Sequence, residues 1–170
     1  MEGKGVIMFG RSKVVTELKG KAGKVRRDEA LSAPASTYAP PGVDTSQVWL
    51  AAVEIRKPES HITYVSLADG TTSVYYATGK GYEGVGSAES VAEASRAFVE
   101  RAGLMKSEFT QAEGIPYPAR GKVSIYYRIG DGLFVVTATE DILAVGGNPL
   151  TPLYKRSMDV LHQANAVISR

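Results

Sequence analysis

From Lys122 to Ile129 apolar and polar residues alternate, with Val123, Ile125, Tyr127 and Ile129 on one face and Ser124, Tyr126 and Arg128 on the other. Gly130-Asp131-Gly132 follows, and Leu133 to Thr139 returns as a second apolar run. A period of two on either side of a glycine-bearing turn predicts a β-hairpin. Thr151-Pro152 then opens a helix to about Ser169. The same plan stands earlier in the chain. His61–Ala68 and Thr72–Thr78 flank an Asp69-Gly70 turn, and a helix from about Ser87 to Ala102 carries Val91, Phe98 and Ala102 on its apolar stripe. Ser90-Val-Ala-Glu93 fits a capping box at its start, and Gly103 is placed to end it. Ahead of both units, Val48–Ile55 reads as a largely buried strand with Trp49, Ala51, Val53 and Ile55 sharing a face. The predicted fold is α+β: a five-stranded, mostly antiparallel sheet in the order β-β-β-α-β-β-α, with helices packed on it.

Upstream the pattern weakens. Ser12–Leu18 is long enough for two helical turns, but Gly20 and Gly23 interrupt any continuation. Ala33–Gly42 contains three prolines among small residues and reads as a semi-rigid linker. The expected organisation is therefore a basic N-terminal arm at 1–32, partly helical or disordered, a Pro-rich linker at 33–46, and an α+β domain at 47–170. Charge supports an arm of distinct character. Residues 1–30 carry eight Lys/Arg against four acidic residues, leaving twelve basic and fourteen acidic in the remainder, although the net charge is only +2. A basic arm offers a route to nucleic acid, which ranks behind a solvated or self-docking arm because its charges are mixed and Phe9 is its only aromatic residue.

Composition removes some chemistry. With no cysteine, disulfides, thiolate–metal sites and thiol catalysis are excluded. No apolar run reaches the ~20 residues that a membrane span requires, and a cytoplasmic protein is the expectation. His61 and His162 are the only histidines and lack metal-ligand spacing; no G-x-S-x-G elbow is present. Glu140-Asp141 is an acidic pair without a matched partner for acid–base work. No catalytic or metal-binding residue and no cofactor is therefore assigned, and the chain is expected not to be an enzyme. Two glycine motifs stand out. Gly5–Ser12 has phosphate-loop spacing, but Arg11 occupies the lysine position and bulky apolar residues fill the loop. Gly79-Lys80-Gly81-Tyr82-Glu83-Gly84 matches G-x-G-x-x-G, yet it follows an antiparallel hairpin and precedes the helix start. Gly79, Lys80, Gly81 and Gly84 are the candidate ligand-binding residues if this loop holds an anion or small molecule. The paired tyrosines at 75–76 and 126–127 put one ring on each sheet face. Outward-facing Tyr76, Tyr126 and Arg128 are the candidate interface residues if that face is uncovered.

From about Glu59 to Ser169 the order of features resembles the roadblock/dynein-light-chain family of the profilin- and longin-like group. The resemblance lies in the hairpin of Thr63–Thr78, the helix after it, and Tyr127-Arg-Ile-Gly-Asp-Gly-Leu-Phe-Val-Val136 before a last helix. Such domains begin with a helix, whereas an extended segment comes first here. Secretion-chaperone-type domains are the alternative resemblance if the arm supplies a first helix. Either resemblance implies a non-catalytic, often dimeric module that binds proteins. The expected function is thus a self-associating interaction or scaffold module whose partner is another protein, a second copy, or both. A small-ligand or anion sensor using the Gly79–Gly86 loop is the alternative.

Overall fold

The computed structural model describes residues 14–170. They begin with strand β1 (Thr16–Leu18), helices α1 (Ala22–Ser32) and α2 (Ala35–Tyr38), and strands β2 (Val48–Arg56), β3 (His61–Leu67), β4 (Thr72–Tyr76) and β5 (Gly81–Glu83). A 3-10 turn leads into α3 (Glu89–Leu104), and a second one into the two-residue strand β6 (Thr110–Gln111). The hairpin β7 (Lys122–Ile129) and β8 (Gly132–Thr139) follows, and then α4 (Glu140–Val145) and α5 (Thr151–Ile168). Among the described residues the strands form one eight-stranded sheet, β1-β5-β4-β3-β2-β7-β8-β6, and every neighbouring pair is antiparallel.

The architecture is α+β, but the expected five-stranded β-β-β-α-β-β-α sheet is incorrect in strand number and element order. The added strands β1, β5 and β6 are two or three residues long, too short for alternation to announce them. β5 lies inside the glycine-rich stretch read as a loop. The helical turns expected at Ser12–Leu18 are also corrected: residues 12 and 13 fall outside the described residues, and Thr16–Leu18 is an edge strand. The helix instead begins after Gly20 and includes Gly23. α1, α2 and β1 pack on the same sheet as the strands of 47–170, and a short helix occupies part of the proline-bearing stretch.

β2 sits in the middle because it is buried on both faces from Val48 to Ile55, which suits an almost unbroken apolar run. One face, with Val53, Ile55, Tyr64, Val74 and Ile125, packs under α3 and α5 through Phe98, Val99, Leu153 and Val160. The other, with Leu50, Ala52, Val65, Leu67, Tyr75 and Tyr126, packs under α1 and α2 through Ala30, Leu31 and Ala35. Trp49 belongs to this second face, not with Ala51, Val53 and Ile55, because the β2–β7 register shifts between Val48 and Leu50. A bulge adds one residue and breaks the period of two. Its indole Nε1 donates to Gly130 O at 2.9 Å.

Both helix-end expectations for α3 need correction. The helix starts one residue before Ser90, with Ala88 at the cap and no side-chain cap bond, so the Ser90–Glu93 box does not form. It also continues through Gly103 to Leu104, where Val48 lies against the glycine. α5 starts where Thr-Pro places it, with Pro in its first turn.

Burial sets an alkaline limit on this core. Tyr38, Tyr64, Tyr126 and Tyr154 are each pushed up to about 12, in every case chiefly by burial of the phenol. Unfolded tyrosines ionise near pH ~10, so stability is fully present below that value and is lost as pH rises from there through the folded values near 12. An ultraviolet titration of tyrosinate with parallel circular dichroism should show these tyrosines ionising only as the sheet signal collapses. Smooth titration of all nine tyrosines near pH ~10 with the fold intact would contradict their burial.

Candidate functional site

Three places concentrate polar groups or unused surface. The first is a buried charge cluster between α1 and the sheet. α1 carries Arg27 inward, 3% exposed, onto Glu54 of β2, which is fully buried. Arg27 Nε donates to Glu54 Oε2 at 2.6 Å and Nη2 to Oε1 at 2.9 Å, a bidentate pair, and Thr63 Oγ1 donates to Oε2 at 2.6 Å. Nη2 also reaches Ile115 O at 2.7 Å, and Nη1 reaches Asp28 Oδ1 at 3.0 Å. The Tyr117 ring covers the guanidinium at 4.2 Å, and His61 stacks on Tyr117 at 4.7 Å between centroids. Burial alone would lower the guanidinium's pKa; the bonds and charge of Glu54, with Asp28, outweigh it and hold Arg27 above its ordinary value. Both carboxylate oxygens are occupied by these donors, so the cluster is a clasp joining α1, the sheet and the 112–121 segment rather than a reaction centre.

Arg128, an interface candidate from the sequence, is fully buried. It donates to Ala30 O at 3.1 Å and Asp131 O at 3.2 Å, with its guanidinium 4.9 Å from the Trp49 ring. The cation thus bonds a carbonyl of the last turn of α1, where positive charge suits the helix dipole. Burial lowers its pKa, and the charge of Asp131 opposes that shift. Tyr126 is 1% exposed. The interface reading of these two residues required an uncovered face; α1, α2 and the 112–121 segment cover it, so neither offers contact surface in this chain. Tyr76 is half-buried on the opposite face, edge-on to Tyr82 at 6.4 Å, with Lys80 Nζ 5.7 Å and 5.5 Å from the two rings.

The second place is the glycine motif. At Gly79 and Gly81 the motif lies close against neighbouring backbone. Gly23 N donates to Gly79 O at 2.6 Å, and a Cβ on Gly79 would collide with the Gly20 carbonyl. Gly81 begins β5 against Val74 O, and Gly84 adopts φ 77° to start the 3-10 turn. Lys80 alone points to solvent. The motif brings the first turn of α1 against the β4–β5 turn. The phosphate-loop spacing at Gly5–Ser12 lies outside the described residues.

The third place is the far end of the sheet. β6 pairs with β8 only at Val135 and Phe134, and Ala112 N donates to Leu133 O. Leu133 and Val135 therefore direct backbone groups outward, and strand alternation gives Thr137 and Thr139 the same orientation. Among the described residues, no strand pairs with the outer edge there. α4 begins at once after β8, and it exposes Ile142 (52%) and Val145 (83%). A cavity of about 470 Å³ adjoins the same edge, between the 112–121 segment and β7–β8, with Tyr117, Tyr126, Val135 and Thr137 in its wall. Sequence reasoning missed this edge because β6 is two residues long; the apolar Ile142 and Val145 beside Glu140-Asp141 were the available signal.

His61 is committed to the Tyr117 stack, with Nε2 3.0 Å from Pro118 O, and His162 is exposed on α5. Glu140 accepts the Tyr154 hydroxyl at 3.0 Å. No group of three or more His, Asp or Glu side chains among the described residues is arranged to hold a metal ion. No helix among them is long and apolar enough to cross a membrane. Comparison of the chain with protein-family models, with curated proteins and with solved structures found no match.

Proposed function

We propose that this chain is a non-catalytic protein-interaction module that associates with a second copy of itself through the outer edge of β8 and the exposed face of α4. The observation that carries the reading is the open edge at Thr137 and Thr139 beside Ile142 and Val145. Unpaired strand groups next to exposed apolar side chains favour pairing with another chain. Two copies of one antiparallel edge pair about a two-fold axis, which makes the contact self-complementary. β6 bounds the open stretch on one side and α4 on the other, so the ladder is short. The association is accordingly weak, and reinforced by the α4 side chains. This is the kind of contact role that the roadblock resemblance implies.

Sedimentation equilibrium across a concentration series should show a monomer–dimer exchange. Thr137→Pro removes an outward N–H and leaves the β7 ladder intact; it should weaken the dimer at least ~10-fold, as should Val145→Asp, with melting temperatures near wild type. A monomer at every concentration, or dimerisation indifferent to both substitutions, defeats the proposal.

A further inference from the structure

A second surface, on the outer side of α3 and α5, carries chemistry that the interaction reading does not use. α3 and α5 bury Phe98, Val99, Leu153, Val160 and Leu161 against the sheet, and their outer seam forms a depression of about 520 Å³. Arg101 enters it from α3, and Lys155, Arg156 and His162 from α5. Asp159 is the only carboxylate in its wall, while Pro152 and Met158 supply apolar surface.

The state of these cations is the informative feature. Lys155 and Asp159 are four residues apart on the helix and Arg156 and Asp159 three, spacings at which opposite charges ordinarily meet. On α3, Arg96 does meet its acid, Glu89, at 2.6 Å. Yet among the described residues neither Lys155, Arg156 nor Arg101 forms an ion pair. Three cations face one cavity with one carboxylate in its wall. Lys155 and Arg156 are solvent-exposed and contribute nothing to the core.

The geometry points to this seam as a binding site for a small phosphorylated molecule of nucleotide size. Guanidinium forks match phosphate oxygens in pairs, and lysine adds a mobile point charge. The volume falls within the ~300–1,000 Å³ typical of small-ligand pockets, and the Met158 and Pro152 surfaces can take an apolar moiety next to the phosphates. Farther along the groove Arg156 and Asp159 remain in the wall but Arg101 and Lys155 give way to Glu93 and Gln163, so the anionic end of the ligand belongs over Arg101, Lys155 and Arg156. The site lies on other elements than β8 and α4, and it stands whether or not the chain dimerises.

Calorimetric titration of the full chain with inorganic pyrophosphate and with ADP, at constant ionic strength, tests the assignment. Saturable binding of both is expected, with at least a ~10-fold loss in the Lys155→Ala/Arg156→Ala double variant. Both positions are exposed, so the variant's melting temperature should match wild type and the loss reports binding alone. Absence of saturable binding by either probe overturns the proposal, as does binding that survives the double substitution. Binding of a single-stranded oligonucleotide without binding of pyrophosphate also overturns it, in favour of an extended polyanion.

Discussion

Glu54→Ala should destabilise the protein by about 3–5 kcal/mol, measured as a lowered urea midpoint with an unchanged slope. The substitution leaves Arg27 buried under α1 with no carboxylate to receive its Nε and Nη2 bonds, and Thr63 Oγ1 loses its acceptor. The remaining acceptors, Ile115 O and Asp28, lie toward the surface side of the guanidinium. The expected response is that α1 lifts and water enters beside Tyr117. Replacing both charges, Arg27→Met with Glu54→Leu, should recover much of that loss, because two apolar side chains carry no desolvation cost. A double variant no better than Glu54→Ala would mean that the pair itself, not the avoidance of a lone buried charge, supplies the stability. The cycle separates these two effects.

Gly79→Ala should cost on the order of 3 kcal/mol, from two sources. Gly79 holds φ at 108°, a region costly for a residue with a Cβ, and the added carbon would meet the Gly20 carbonyl where the chain enters α1. Gly42→Ala is the control. That residue has φ 84° and no atom within 4 Å of the new Cβ, so it should lose only about 1 kcal/mol. The difference between the two melting curves measures the close approach of the α1 entry to the β4–β5 turn. Equal losses would show that the approach contributes nothing and would reopen the loop to other uses.

What could be read from the sequence follows from how each element carries its information. The β3–β4 and β7–β8 hairpins and α5 were legible because alternation, a glycine-bearing turn and Thr-Pro are local signals. β1, β5 and β6 were not, since two or three residues pair only where a neighbouring strand is already present. Trp49 was assigned to the wrong face because a bulge leaves no mark in a hydrophobicity pattern. Arg27 and Glu54 were the deepest omission. A charged residue reads as solvent-facing, and Glu54 interrupts an otherwise apolar strand without showing that its counter-charge lies 27 positions upstream. The same blindness made Arg128 and Tyr126 look like contact residues: their covering layer is built from a segment whose glycines and prolines resembled an arm and a linker. The seam cations were readable as charges on α5, but their convergence with Arg101 needed the packing of two helices.

The clasp on α1 also fixes an order of events during synthesis. Protein chains leave the ribosome N-terminus first, so α1 emerges early, while its partners come later: Glu54 after 27 residues, Ile115 after 88, and the Arg128 bond to Ala30 across 98. Until β7 has been made, the side of α1 that carries Arg27, Ala30 and Leu31 has no complete surface to settle on. A nascent or truncated product ending before Glu54 therefore displays α1 with its inward-facing arginine left only Asp28 among its acceptors, a form that cellular quality control can distinguish from the finished protein.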